Sequence, residues 1–174
     1  AGVAAFSLDR VARELPPALL RCLALSQEPR PPPLHRKRGA GRRAVVVSTW
    51  PPAPCGIATF SKHLVEAGLL ATRTWGAVDV IPLEPLEEAG SHAYGELGYG
   101  RVLTPIIIED PRSYAEAARQ IDAGGYGVVI LMHEFGIHGP RPGGEHVTCL
   151  LAALATPVVT VLHPLREGGG AGAA

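Results

Sequence analysis

The stretch AVVVSTWPPAPCGIATFSKHLVEAGLLA, residues 44–71, decides the fold. AVVVS (44–48) is short, apolar and rich in β-branched residues, the composition of a strand buried on both faces. TWPPAPCG (49–56) is a loop, and IATFSKHLVEAGLLA (57–71) places Ile57, Phe60, Leu64 and Ala67 at helical spacing. A buried strand followed at once by a helix is the opening of a β-α-β unit.

The pattern repeats downstream. VDVIPL (78–83) reads as a second strand, a Gly-, Tyr- and Glu-rich loop spans 84–100, and RVLTPIIIED (101–110) holds a third apolar run interrupted by Pro105. Pro111 suits a first helical residue, RSYAEAARQIDA (112–123) continues as a helix, and Gly124 and Gly125 end it. VVILM (128–132) is a strand, HEFGIHGPRPGG (133–144) a loop, EHVTCLLAALA (145–155) a helix and VVTVL (158–162) a final strand. Alternation of this kind predicts an α/β domain, a Rossmann-like three-layer parallel sheet, over residues 44–166. Residues 1–43 form a basic, Pro/Arg-rich arm, partly helical or disordered, and 167–174 a flexible Gly/Ala tail.

The chain has 174 residues and no formal net charge, with 16 basic and 16 acidic side chains. The balance conceals a split: residues 1–43 hold nine basic and three acidic side chains, and residues 44–174 hold seven and thirteen. The acidic body argues against a specific nucleic-acid binder, and the arm reads first as a solvated linker. Three cysteines without a CxxC pair argue against a disulfide framework or a cysteine zinc site and fit a reducing compartment, cytoplasm or plastid. No apolar run is long enough to span a bilayer. The chain opens on Ala rather than Met, as a fragment or processed form would.

Ligands of such sheets sit at the carboxyl ends of the strands. Three groups of residues occupy those ends: Cys55, Gly56 and Ile57; then His133, Glu134, Phe135 and Gly136; then His163. Gly56 lacks a Cβ and opens a helix, where unpaired amides and the helix dipole favour an anion such as a diphosphate; the competing reading is a tight turn that needs glycine. His133 and His163 can hydrogen-bond sugar hydroxyls or phosphate, or move protons. Cys55 is either a small turn residue or a nucleophile activated by His133 or His163. The first strand is followed by no GxGxxG, no GK[ST] occurs, and His133, Glu134 and His138 miss the spacing of a zinc-protease helix, leaving a metal on His133, His138 and His146 as a minor alternative.

STWPPAPCGIATF (48–60), VVILMHEFGIHGPRPGGEHVTCLLAAL (128–154) and TPVVTVLHPL (156–165) together resemble the amino-terminal half of glycosyltransferase family 4, retaining enzymes of the GT-B fold that use nucleotide-sugar donors. The nearest patterns are a PPxxCGIATF opening, a QHEFGIFGG-like loop and a PVVTTLHT-like strand, in the same order and spacing. The resemblance implies an acceptor-side domain that faces a carboxy-terminal donor domain carrying an ExxxxxxxE glutamate pair. It implies a catalytic position for His163, close to the reacting sugar. Gly56 would lie beside the donor diphosphate, and Cys55, Gly56, Ile57, His133, Glu134, Phe135 and Gly136 along the acceptor cleft. It implies a nucleotide-sugar co-substrate, a hydroxyl acceptor and no metal or other cofactor. His138, Pro164 and the longer GPRPGGE depart from the pattern. The donor domain falls outside the sequence, so the chain alone is expected to be inactive. The alternatives are a non-catalytic sugar- or protein-binding α/β module, and an unrelated hydrolase or regulator built on Cys55.

Overall fold

The structure is a computed structural model that describes residue 24 and residues 43–69, 75–134, 136–139 and 144–163. The readings made for residues 1–23, 25–42, 70–71, 135, 140–143 and 164–174 fall outside the described residues. Five strands form one sheet, all pairs parallel, in the order β3-β2-β1-β4-β5: β1 Arg43–Ser48, β2 Ala77–Glu84, β3 Ile106–Ile107, β4 Val128–His133 and β5 Val158–Leu162. The helices are α1 Gly56–His63, which continues as a π-helical segment Leu64–Leu69, α2 Pro111–Gly124 and α3 Val147–Ala153. The Rossmann-like parallel sheet expected from the sequence is therefore present.

Ala44, Val45, Val46 and Val47 have no solvent exposure. Their side chains alternate between two cores. Val45 and Val47 join Ile81, Leu83, Val129 and Leu131 under Tyr114, Ala117, Ala118 and Ile121 of α2 and Val147, Leu150 and Ala153 of α3. Ala44 and Val46 join Val78, Val80, Val128 and Ile130 under Trp50 and Val65, with Tyr94, Leu97 and Tyr99 closing the edge. Apolar residues on both faces are what a central parallel strand requires, because helices and loops must cover it twice.

Two local readings change. The run 101–110 holds only two strand residues, Ile106–Ile107. Pro105 offers no amide to a ladder, yet the chain before it still follows β2: Val78 and Val80 donate to the carbonyls of Tyr99 and Arg101, and Leu103 donates to Val80. Gly100 makes this approach feasible, since a Cβ there would lie 1.9 Å from the Val78 carbonyl oxygen. The first helix also buries a different face from the one its apolar spacing marks: Ile57, Ala58, Ser61 and Val65 are buried, whereas Phe60 and Ala67 are exposed.

Helix α2 follows its sequence signals. Asp110 caps it by accepting from the Arg112 amide at 2.9 Å, Pro111 occupies the first turn, and Gly125 ends it in a left-handed conformation at φ 67°. Asp122 ties α2 to the turn before β5 by accepting from the amides of Ala155 and Thr156, each at 2.9 Å. Cys149 of α3 is fully buried in the core.

A charged clasp closes the amino-terminal edge of the sheet. Buried Asp79 of β2 accepts from the Tyr126 hydroxyl at 2.5 Å, from the Arg101 amide at 2.8 Å and from the Arg43 guanidinium, which also lies 4.6 Å over the Tyr126 ring. Burial alone would raise the Asp79 carboxyl, but the Tyr126 hydroxyl, the Arg101 amide and the Arg43 charge together hold it below its ordinary value. A carboxyl lowered by folding stabilises the protein above its unfolded pKa, and that contribution is lost as pH falls through the folded value. Asp79→Asn is therefore expected to cost about 2–4 kcal/mol at pH 7. Urea denaturation of both proteins at pH 7 and pH 3 checks this: the gap should narrow at pH 3.

Candidate functional site

The strand order places the topological switch between β1 and β4. The chain leaves β1 toward the face that holds Val65 and leaves β4 toward the face that holds α3, so the loops part and open a crevice at the carboxyl ends. A cavity of about 480 Å³ lies there, lined by Cys55, Gly56, Ile57, Phe60, Glu134, Ile137 and His163. Its size falls within the range of small-molecule sites.

Five of the residues expected from the sequence meet in this cavity: Cys55, Gly56, Ile57, Glu134 and His163. His133 is not among its lining residues; its carbonyl accepts the His163 amide at 2.9 Å, extending the β4–β5 pairing by one step, and its ring stacks on His138 at 5.7 Å. Gly136 shapes the loop at φ 101° and does not line the cavity, and Phe135 lies outside the described residues. Phe60 and Ile137 are lining residues that the sequence reading missed. Phe60 entered the sequence reading only as part of a helical spacing, and Ile137 carried no motif of its own.

Cys55 is the N-cap of α1. Its Sγ accepts from the Ala58 amide at 3.3 Å and lies 3.1 Å from the Thr49 hydroxyl. Among the described residues no imidazole is a hydrogen-bond partner of Cys55, so the nucleophile–base contact of the thiol reading is not made there. The amides of Gly56 and Ile57 open the helix and have no intrahelical acceptor. Gly56 is not held in a glycine-only conformation, and a Cβ there would meet nothing within 4 Å. The tight-turn explanation for this glycine therefore fails, and what remains is open space in front of two helix-opening amides.

His163 stands edge-on to Phe60, with ring centres 4.8 Å apart and planes at 88°, and its Nε2 is buried without a hydrogen-bond partner. A buried polar atom in that state costs about 1–3 kcal/mol, which a hydroxyl or phosphate oxygen from a ligand would offset.

The other histidines serve the loop. His138 is fully buried and donates from Nε2 to the Met132 carbonyl at 2.8 Å, and His146 meets the Ile108 carbonyl through Nδ1 at 2.9 Å. These bonds anchor the β4–α3 loop to β4 and to the segment after β3. Among the described residues, no three His, Cys, Asp or Glu side chains are grouped as a metal site, so His133, His138 and His146 do not converge as ligands.

Comparison with known proteins adds nothing to this geometry: no family model, no curated protein and no solved structure matches the chain.

Two measurements test the supports of the site. Burial pushes the His138 imidazole down to about 4 from 6.5, so between those values the unfolded chain binds the extra proton. Stability should fall by about 1.4 kcal/mol per pH unit below pH 6.5 from this group, and denaturant midpoints should lose that slope in His138→Gln. Cys55→Ala should cost about 1 kcal/mol by removing the cap, and Cys55→Ser should restore most of it in the same measurement.

Proposed function

We propose that the chain is the acceptor-side domain of a retaining glycosyltransferase that moves a sugar from a nucleotide-sugar donor to a hydroxyl acceptor. The observation that carries this reading is the convergence of the three motif segments. PCGI at the start of α1, HEFG after β4 and LHP after β5 are up to about 110 residues apart in sequence, yet each contributes to one cavity at the switch point. The parallel order β1-β4-β5 brings these loops together; that each of them carries motif residues into the cavity is what a shared ligand would explain.

The roles follow from chemistry. The amides of Gly56 and Ile57 offer the helix N-terminus to an anionic oxygen, as the resemblance implies for the donor diphosphate. Glu134 accepts from hydroxyls, and in this reading the unpartnered Nε2 of His163 serves a hydroxyl of the reacting sugar. The donor's charge also calls for basic groups beyond this cavity, since none of its described lining residues is Lys or Arg. In this reading transfer requires the donor-side domain, and binding is the property to measure on the chain itself.

The test is a titration of the ¹⁵N-labelled chain with UDP-glucose, GDP-mannose and ADP-glucose, followed by amide shifts. At least one donor should move Gly56 and Ile57 in a saturable way. Gly56→Leu should abolish that response while changing stability by no more than about 1 kcal/mol, because its side chain enters open space. No saturable shift at these amides with any of the three donors would sink the reading.

A further inference from the structure

Phe60 has an unusual position. It lies on α1 one residue before buried Ser61 and two after buried Ala58, yet it is 44% exposed and lines the cavity. A lone exposed aromatic says little. Here the aromatic stands inside a concave site and is joined by Ile57 and Ile137, with Glu134 and His163 also in the lining. The cavity thus combines apolar and hydrogen-bonding groups. That combination suits a molecule with a C–H face and a rim of hydroxyls.

We propose that Phe60 is a specificity-determining residue, the platform on which a neutral sugar or cyclitol ring lies, with Glu134 and His163 meeting its hydroxyls. The assignment deepens the acceptor-side reading and rests on it. The perpendicular contact with His163 holds the two rings in a fixed relation, ring centres 4.8 Å apart, so a molecule against Phe60 lies next to the imidazole. Aromatic faces attract polarised C–H groups through their quadrupole, and the ring brings large contact area at low entropic cost. Glu134 supplies the one formal charge among the described lining residues, and it is negative. A phosphate on the ring would therefore be repelled rather than clamped.

The experiment follows the Phe60 ring and His163 imidazole signals in the full chain. The titrants are myo-inositol and the methyl α-pyranosides of glucose, mannose and galactose, with glucose 6-phosphate as the charged probe. At least one neutral ring should shift both residues saturably, and glucose 6-phosphate should bind more weakly than the methyl glucoside. Phe60→Ala and Phe60→Leu should each weaken binding about tenfold, and Phe60→Trp should retain it. The leucine variant fills the space without a π face, and an unchanged amide fingerprint shows that each variant is folded. Wild-type binding by Phe60→Leu, tighter binding of the phosphorylated ring, or no shift with any neutral ring overturns the proposal. If UDP-glucose or another donor still moves Gly56 and Ile57 in that event, only the role of Phe60 fails; if it does not, the acceptor-side reading fails with it.

Discussion

The complete burial of four consecutive side chains, Ala44 to Val47, is the constraint on which the rest of the structure depends. A strand with no wet face must be covered twice, and here the crossover that leaves β1 covers one face while α2 and α3 cover the other. With β2 on one flank of β1 and β4 on the other, the loops that leave β1 and β4 must part. The crevice between them is therefore a by-product of covering the sheet. Its occupants are a further matter: a glycine that packing does not require, an N-cap thiol and an imidazole with an unpartnered buried nitrogen.

The clasp at the amino-terminal edge of the sheet and the cavity at its carboxyl edge treat charge differently. At the amino-terminal edge every strong charge is met: Asp79 has Tyr126, Arg43 and the Arg101 amide, and none of these groups lines the cavity. At the carboxyl edge the cavity has amides, one carboxylate and one imidazole. A helix N-terminus presents roughly half a positive charge, less than the full negative charge of Glu134. Backbone alone can orient an anion here but holds a diphosphate only weakly against that carboxylate. Tight binding of an anionic ligand needs counter-charge from elsewhere, whereas a ring of hydroxyls needs none.

Most of the architecture was legible because burial leaves a compositional mark. The runs AVVVS, VVILM and VVTVL became strands, and the Asp110, Pro111 and Gly125 signals bracketed α2. Less legible was whatever depended on distant partners. Residues 99–103 follow β2 through three backbone hydrogen bonds that no local pattern announces, and β3 shrinks to two residues beyond Pro105. His138 looked like one more polar loop residue, although its imidazole is wholly buried against the Met132 carbonyl. For the site, five of the residues singled out at strand ends line the cavity, whereas the His133 ring stacks on His138 and Gly136 shapes the loop.

The outward position of Phe60 has a specific physical cause. Apolar spacing on α1 favours a buried stripe of Ile57, Phe60, Leu64 and Ala67, but the helix is rotated so that Ser61 faces the sheet. There its hydroxyl lies 2.7 Å from that of Ser48, and both residues are fully buried. Two buried hydroxyls left unpaired would cost about 1–3 kcal/mol each. Full burial of Phe60 would gain about 1.5–3 kcal/mol, of which its partial burial already recovers a share. The polar pair therefore wins the rotation. Successive helical residues are about 100° apart, so the turn that brings Ser61 onto β1 swings Phe60 out to the cavity. Hydrophobic periodicity misplaces the aromatic because it has no term for a hydroxyl with a partner thirteen residues away.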